Sequence, residues 1–301
     1  MTVSLKNIRC FVAVAEAESV TGATQSLHVS QSVVTEAIKA LEADLGVALF
    51  QRHARGMVLT HAGHQFLRHA HLIMAAVRNA RHSLSARPDA MSGELNVGVT
   101  SLVCGYFLPY LLDRFRRVYP GVAVRVIEDR RDYLEHLLVN GELDVAVLFT
   151  SNLENRQALE CAPLLRSPWR AWLAANHPLA ARARIGVDEL AAEPAVQLKS
   201  DAIETFLDEQ PAAARRRRSV IRTASVEAVR SLVATGAGIT VLPELLFRPW
   251  SLEGDRLEMR PLDDAGAPVE VGVAWRRGSG ISEAAHQFVA VAREHSRLRT
   301  G

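Results

Sequence analysis

Between residues 5 and 45 apolar side chains recur every three or four positions, in three runs separated by short polar breaks. That spacing lines one face of an α-helix. The first run, residues 5–17, turns Ile8, Phe11, Val12 and Ala15 toward a common core. Ser19 is placed to cap a short second helix over 21–27, with Ala23 and Leu27 four apart, and His28, Val29 and Ser30 interrupt it. Ser30 is placed to cap a third helix in which Val34, Ile38, Leu41 and Leu45 repeat at helical spacing. Gln31, Ser32, Thr35, Glu36 and Lys39 are left on its polar face. Three helices with a tight turn before the last predict a helix-turn-helix, whose final helix offers short polar side chains to base edges in a DNA major groove. After Gly46 the pattern shortens: 47–52 and 57–60 read as strands, with His53, Ala54, Arg55 and Gly56 as the turn of a wing. Arg52 and Arg55 stand near its tip, where a guanidinium pairs with phosphate or enters the minor groove.

Residues 60–86 contain no proline, and Phe66, Ala70, Ile73, Val77, Ala80 and Leu84 alternate steps of four and three. This is a heptad seam on one long helix, and it must bury itself against something. Residues 87–93 read as a linker. Beyond it, strands and helices alternate. Leu95, Val97 and Val99 give a strand, 101–119 is helical despite Pro109, Val122, Val124 and Val126 give a second strand, 133–139 a helix, and 143–149 a buried strand. That order predicts a largely parallel sheet with helices on both faces. Strands at 171–174, 195–198, 220–223 and 239–242, with helices near 203–209 and 225–235, make a second set. Val269, Val271, Val273 and the helix 282–293 return to the first. The expected units are therefore a DNA-binding domain over 1–60, a linker and dimerisation helix with hinge over 61–91, one α/β lobe over 92–162 and 267–301, and another over 163–266.

In open α/β sheets small ligands sit beyond the carboxyl ends of strands. Applied here, the rule selects Thr100 and Ser101, Phe149 and Thr150 in the first lobe, and Lys199 with Ser200 and Thr223 with Ser225 in the second. Hydroxyls and free amides at Thr100 and Ser101, with the charge of Lys199, suit a carboxylate. Each Ser or Thr also has an ordinary reading as a helix cap.

The segment FVAVAEAESVTGATQSLHVSQSVVTEAIKALEADLGVALFQR, followed by RGMVLTHAG, resembles the LysR-type transcriptional regulators over roughly sixty residues without gaps. The resemblance implies an N-terminal winged helix-turn-helix with a long linker helix, and a C-terminal two-lobe domain of the periplasmic-binding-protein kind holding a small effector in its crevice. It also implies pairing of the linker helix with that of a second chain. A homodimer places two recognition helices on double-stranded DNA, so the operator is an interrupted inverted repeat. The resemblance further implies that lobe contacts build a tetramer and that the effector alters access for RNA polymerase. The resemblance supports Thr100, Ser101, Ser200 and Thr223 at the crevice. Thr24, Ser32 and Glu36 depart from the family pattern, the last two on the face turned to DNA, where Glu36 is suited to accept from a cytosine amino group.

Composition adds boundaries to this picture. A chain of 301 residues, 49% hydrophobic, exceeds what one core organises. A net charge of +2 says little about nucleic acid without the placement of charges. No secretory leader and no apolar run of membrane length are read, which leaves a cytoplasmic protein as the expectation. Cys10, Cys104 and Cys161 lack metal or redox spacing. His61, His64, His69, His71 and His82 lack neighbours to complete a metal site. Trp169, Trp172, Trp250 and Trp275 are expected in cores or interfaces, and Arg215–Arg218 in a solvated loop. No catalytic motif is present, so no enzyme and no cofactor are expected, only an effector of organic-acid type. Two alternatives stay open: a DNA-binding regulator that senses redox state through Cys104 and Cys161 or a metal, and a two-lobe binding protein or enzyme.

Overall fold

The computed structural model describes residues 3–53, 56–85, 91–200, 203, 219–263, 265–278 and 280–300. Helices α1 (Leu5–Ala17), α2 (Val20–Leu27) and α3 (Gln31–Leu45) precede a hairpin of β1 (Phe50–His53) and β2 (Gly56–Leu59), antiparallel in the register Phe50 to Leu59. Ser19 accepts from the Gly22 amide at the start of α2, as its position predicts. Ser30 holds the cap position of α3 but makes no cap bond. Its hydroxyl lies 2.9 Å from Ser32 Oγ, because a second hydroxyl in the first turn competes with the backbone amides. His28 ends α2 in the left-handed region at φ 55°, a conformation that makes the turn tight. Glu42 fixes the wing to α3 by accepting from the amides of Leu49 (2.7 Å) and Phe50 (3.2 Å).

The long helix α4 (His61–Ser85) starts where the Thr60 hydroxyl accepts from the Gly63 amide at 2.9 Å. No side chain is possible at Gly63, since a Cβ there would lie 2.1 Å from the Leu49 carbonyl oxygen. The expected seam divides along its length. Phe66 and Ala70 pack into the core of the helix-turn-helix: Phe11, fully buried, meets Phe50 at 5.2 Å and Phe66 at 5.1 Å between ring centroids. Ile73 is exposed and Val77 half-exposed, while the side chains of Ala80 and Leu84 lie outside the described residues. The first seam positions thus serve their own domain, because α4 leaves it by crossing α1.

The remainder forms two lobes. The first contains β3 (Gly93–Val99), α5 (Ser101–Tyr106), α6 (Leu108–Val118), β4 (Val122–Glu128), α7 (Arg131–Asn140), β5 (Val145–Phe149) and β6 (Leu159–Ser167). The predicted single helix over 101–119 is two, broken at Phe107, and Pro109 sits in the first turn of α6, where its missing amide costs nothing. The second lobe holds β7 (Trp169–Ala174), α8 (Val187–Ala191), β8 (Ala195–Leu198), β9 (Ser219–Thr223), α9 (Val226–Ala234), β10 (Thr240–Pro243) and β11 (Leu257–Pro261). The chain then returns through β12 (Val269–Arg276) and α10 (Glu283–Thr300).

Strand order in the first sheet is β4-β3-β5-β12-β6. The expected parallel pairing holds for β3 with β4 and β5, whereas β12 runs antiparallel to both β5 and β6 because it arrives from the other lobe without a crossover helix. Since β6 continues in this sheet to Ser167, the chain leaves the lobe beyond the boundary expected at 162–163. In the second lobe β10-β7-β11 are antiparallel and β8 pairs β9 in parallel. Trp169 and Trp172 are buried, but Trp250 is 55% exposed, with Arg256 over its ring. The helix expected near 203–209, the arginine run at 215–218 and most of the linker at 87–93 lie outside the described residues, apart from Ile203 and residues 91–93. No helix among the described residues is long and apolar enough to cross a membrane.

Candidate functional site

Two surfaces carry the sequence-predicted residues. On α3, Val34, Ala37, Ile38 and Leu41 are buried against α1 and α2, which turns the remaining face outward. Ser30, Gln31, Ser32, Glu36 and Lys39 are exposed on it, and Thr35 is half-buried at its margin. Gln31 Nε2 donates to Thr21 Oγ1 at 3.0 Å, which ties the two helices of the motif together. For Arg52 the backbone is described, in β1, and the side chain is not; Arg55 lies outside the described residues. The outcome is a 15-residue helix whose polar face is held away from its own core.

The second surface is a cavity of about 350 Å³ between the lobes. Its lining includes Thr100, Ser101, Phe149, Lys199 and Ser200, five of the eight positions chosen by the strand-end rule. Thr100 precedes α5 without capping it, and its Oγ1 is buried with no hydrogen-bond partner among the described residues. Lys199 is exposed; its backbone amide is held by the Thr223 carbonyl at 2.8 Å.

Three predicted residues are elsewhere. Thr150, next to Phe149 on an extended chain, faces the opposite side of the sheet and donates to Glu270 Oε1 at 3.0 Å. Thr223 and Ser225 serve the start of α9: Thr223 Oγ1 accepts from the Ser225 amide at 3.1 Å, and Ser225 Oγ from the Ala228 amide at 3.2 Å. For these two the helix-start geometry prevails, and Ala224 between them reaches the cavity instead.

The sequence reading missed Glu128, Asp129, Arg130, Arg131 and Asn152, all of which line the cavity. The first two mark the carboxyl end of β4, so the rule that found Thr100 would have found them had it been applied to that strand. Arg130 is paired with Asp132 at 3.3 Å, and Arg131 with Glu135 at 2.7 Å and Glu154 at 2.8 Å. Glu135 is fully buried and accepts from the backbone amides of Glu154 and Asn155, which pins the loop carrying Asn152 to α7.

Behind the cavity α5 continues to Tyr106, which crosses to the second lobe. Its hydroxyl donates to Glu227 at 3.1 Å and accepts from Arg230 at 3.1 Å, and Arg248 stands over its ring at 5.1 Å. Arg230, buried, also pairs with Glu227 and donates to the Leu246 carbonyl at 3.2 Å. Burial works to raise the Glu227 carboxyl, but the Arg230 guanidinium outweighs it and holds the group below the ordinary carboxylate range. Cys104 on α5 is pushed up, first by burial and then by the Glu128 carboxylate beside it, so it stays a neutral thiol.

Compared with known proteins, residues 5–64 match the family described as bacterial regulatory helix-turn-helix protein, lysR family, and residues 88–297 match the LysR substrate binding domain. The chain is 30% identical to the RuBisCO operon transcriptional regulator of Allochromatium vinosum, over 99% of this chain and all of that one. It is 28% identical to the hydrogen peroxide-inducible genes activator of Pectobacterium carotovorum, over 97% of this chain and 96% of the relative. Among solved structures, a full-length OxyR variant from Pseudomonas aeruginosa superimposes with a TM-score of 0.76 at 24% identity, covering 99% of this chain and 98% of that one, a likeness of fold.

Proposed function

Since this chain belongs to the LysR family of bacterial DNA-binding transcriptional regulators, we propose that it responds to a small organic acid held in the crevice between its lobes. The observation that carries this reading is the convergence of Thr100, Ser101, Phe149, Lys199 and Ser200 on one cavity, with the Thr100 hydroxyl buried there and without a partner among the described residues. A buried hydroxyl without a partner is costly, and a ligand oxygen or water relieves that cost. Ser30, Gln31, Ser32, Thr35, Glu36 and Lys39 contact an inverted-repeat operator, assisted by Arg52 and Arg55. Two chains pair through α4, where Ile73 stands exposed, outside the core of the DNA-binding domain. Pairs of dimers form a tetramer, and the effector shifts their arrangement and the access of RNA polymerase. For that, the ligand must prefer one arrangement, because equal affinity for both shifts nothing.

A redox switch between Cys104 and Cys161 is the weaker reading. Cys104 lies by Glu128 at the β4 edge, and Cys161 is on β6 at the other edge of the five-stranded sheet. Four strand spacings are on the order of 19 Å, far beyond the reach of a disulfide.

The test is operator footprinting with a panel of small carboxylic acids, on the wild type and on a Thr100→Ala, Ser101→Ala double variant. The expected result is a ligand-dependent footprint in the wild type that the variant loses, at unchanged affinity for DNA. Equal loss of DNA affinity and ligand response would remove the division of labour between the two halves.

A further inference from the structure

We infer that the crevice ligand is amphoteric, a small molecule of amino-acid type that carries an ammonium group beside its carboxylate. This rests on the crevice being the effector site, and it adds a second charge to the ligand. The argument lies in which wall charges are already neutralised. Of the four consecutive charged residues on the first-lobe wall, Arg130 and Arg131 are paired with carboxylates outside the cavity lining, at Asp132, Glu135 and Glu154. Glu128 and Asp129 have no ion pair among the described residues. The first-lobe wall is left with two carboxylates that have no cationic partner among the described residues, Glu128 held only by the Cys104 thiol and Asp129 by the Arg130 amide at 2.7 Å. On the facing wall, Lys199 is an ammonium without an ion pair among the described residues, with Ser200 beside it. Opposite charges therefore confront one another across the space a ligand would fill.

A second observation concerns the neutral groups. Asn152 Oδ1, in the loop pinned to α7 on the Glu128 side, is buried without a donor among the described residues. An amide oxygen can only accept, so the missing partner is an N–H or O–H group. Two carboxylates and an orphan acceptor on one wall call for a cationic donor, and Lys199 on the other calls for an anion. A plain carboxylate answers Lys199 and adds a third negative charge near Glu128 and Asp129. A plain amine answers the first wall and is repelled by Lys199. A molecule with both groups answers both, and its apolar body has Leu102 and Phe149 to lie against. The cavity volume, about 350 Å³, falls at the small end of ligand sites.

Matched probes decide the matter. The full-length protein is titrated calorimetrically with each standard L-amino acid, with the carboxylate lacking its amino group and with the amine lacking its carboxylate; for leucine these are 4-methylpentanoate and 3-methylbutylamine. At least one amino acid is expected to bind about tenfold or more tighter than both of its partners. Lys199→Met should weaken that amino acid about tenfold, and Glu128→Gln with Asp129→Asn should weaken it while improving its carboxylate partner. If a carboxylate binds as tightly as its amino acid and loses affinity only in Lys199→Met, the amphoteric ligand is wrong and the crevice reading stands. Binding that none of these substitutions alters would place the ligand outside the crevice and overturn both. No binding by any amino acid at millimolar concentration would also overturn the inference.

Discussion

The two candidate surfaces are built in opposite ways. Apart from Arg52 and Arg55 of the wing, the proposed DNA contacts fall within ten consecutive residues, from Ser30 to Lys39, on a face defined by the burial of Val34, Ile38 and Leu41. The crevice draws its lining from separate stretches of the chain, at 100–102, 128–131, 149 with 152, 199–200 and 224. The first surface is therefore a property of a local period, and the second a property of sheet order. One can be altered without disturbing the other only because their cores are distinct: the apolar cluster around Phe11 and that around Phe107, Phe115 and Phe288 share no residue.

The largest effect tests that separation. Phe11→Ala removes the ring that joins α1, the wing and α4, and should cost about 3–5 kcal/mol in the DNA-binding domain. Two thermal transitions are then expected in calorimetry, with only the one belonging to the DNA-binding domain displaced. A single shifted transition would mean the two halves unfold as one unit.

Next comes the contact between lobes. Arg230→Met leaves Tyr106, Glu227 and the Leu246 carbonyl without their charged donor and should lower the stability of the two-lobe domain by about 2–3 kcal/mol, leaving DNA affinity unchanged. The same cluster sets a pH dependence. Glu227 is held below its ordinary value in the fold, so its contribution is present above that value and is lost as pH falls through the lower, folded one. Acid unfolding of the Arg230→Met protein should lack this component; an unchanged acid profile would show that the pair is not what holds Glu227.

The smallest effect is one of preference. Glu36→Gln should leave stability within about 0.5 kcal/mol, since the side chain is exposed, and should change the base chosen opposite it in a binding selection. An unaltered preference would reduce Glu36 to a solvated position.

Sequence legibility follows the same division. The bounds of α1 and the run of β4 through β5 emerge from apolar spacing, because period 3.6 and period 2 are written in adjacent residues. The edge strands β6 and β11 escaped it. In β6, Pro163 and exposed polar positions blur the alternation, and β11 is half-exposed along most of its length. At the crevice, the strand-end rule found Thr100 and Lys199 but misassigned Thr150, since a one-residue step along a strand changes the face. That two arginines of the wall are neutralised from α7 and from the loop after β5, while two acids have no ion pair among the described residues, depends on pairings up to 23 positions apart. No local pattern encodes them.

The anchoring of Phe66 and Ala70 inside the DNA-binding domain has a mechanical meaning. A helix of 25 residues is about 37 Å long, and its first turns are welded to the domain that grips DNA. It is a lever that carries that domain at its end. Tilting it by about 10° about its lobe end carries the reading head through about 6 Å, nearly two base-pair steps along a duplex, so a modest rearrangement among the lobes is enough to set or spoil the spacing between two reading heads.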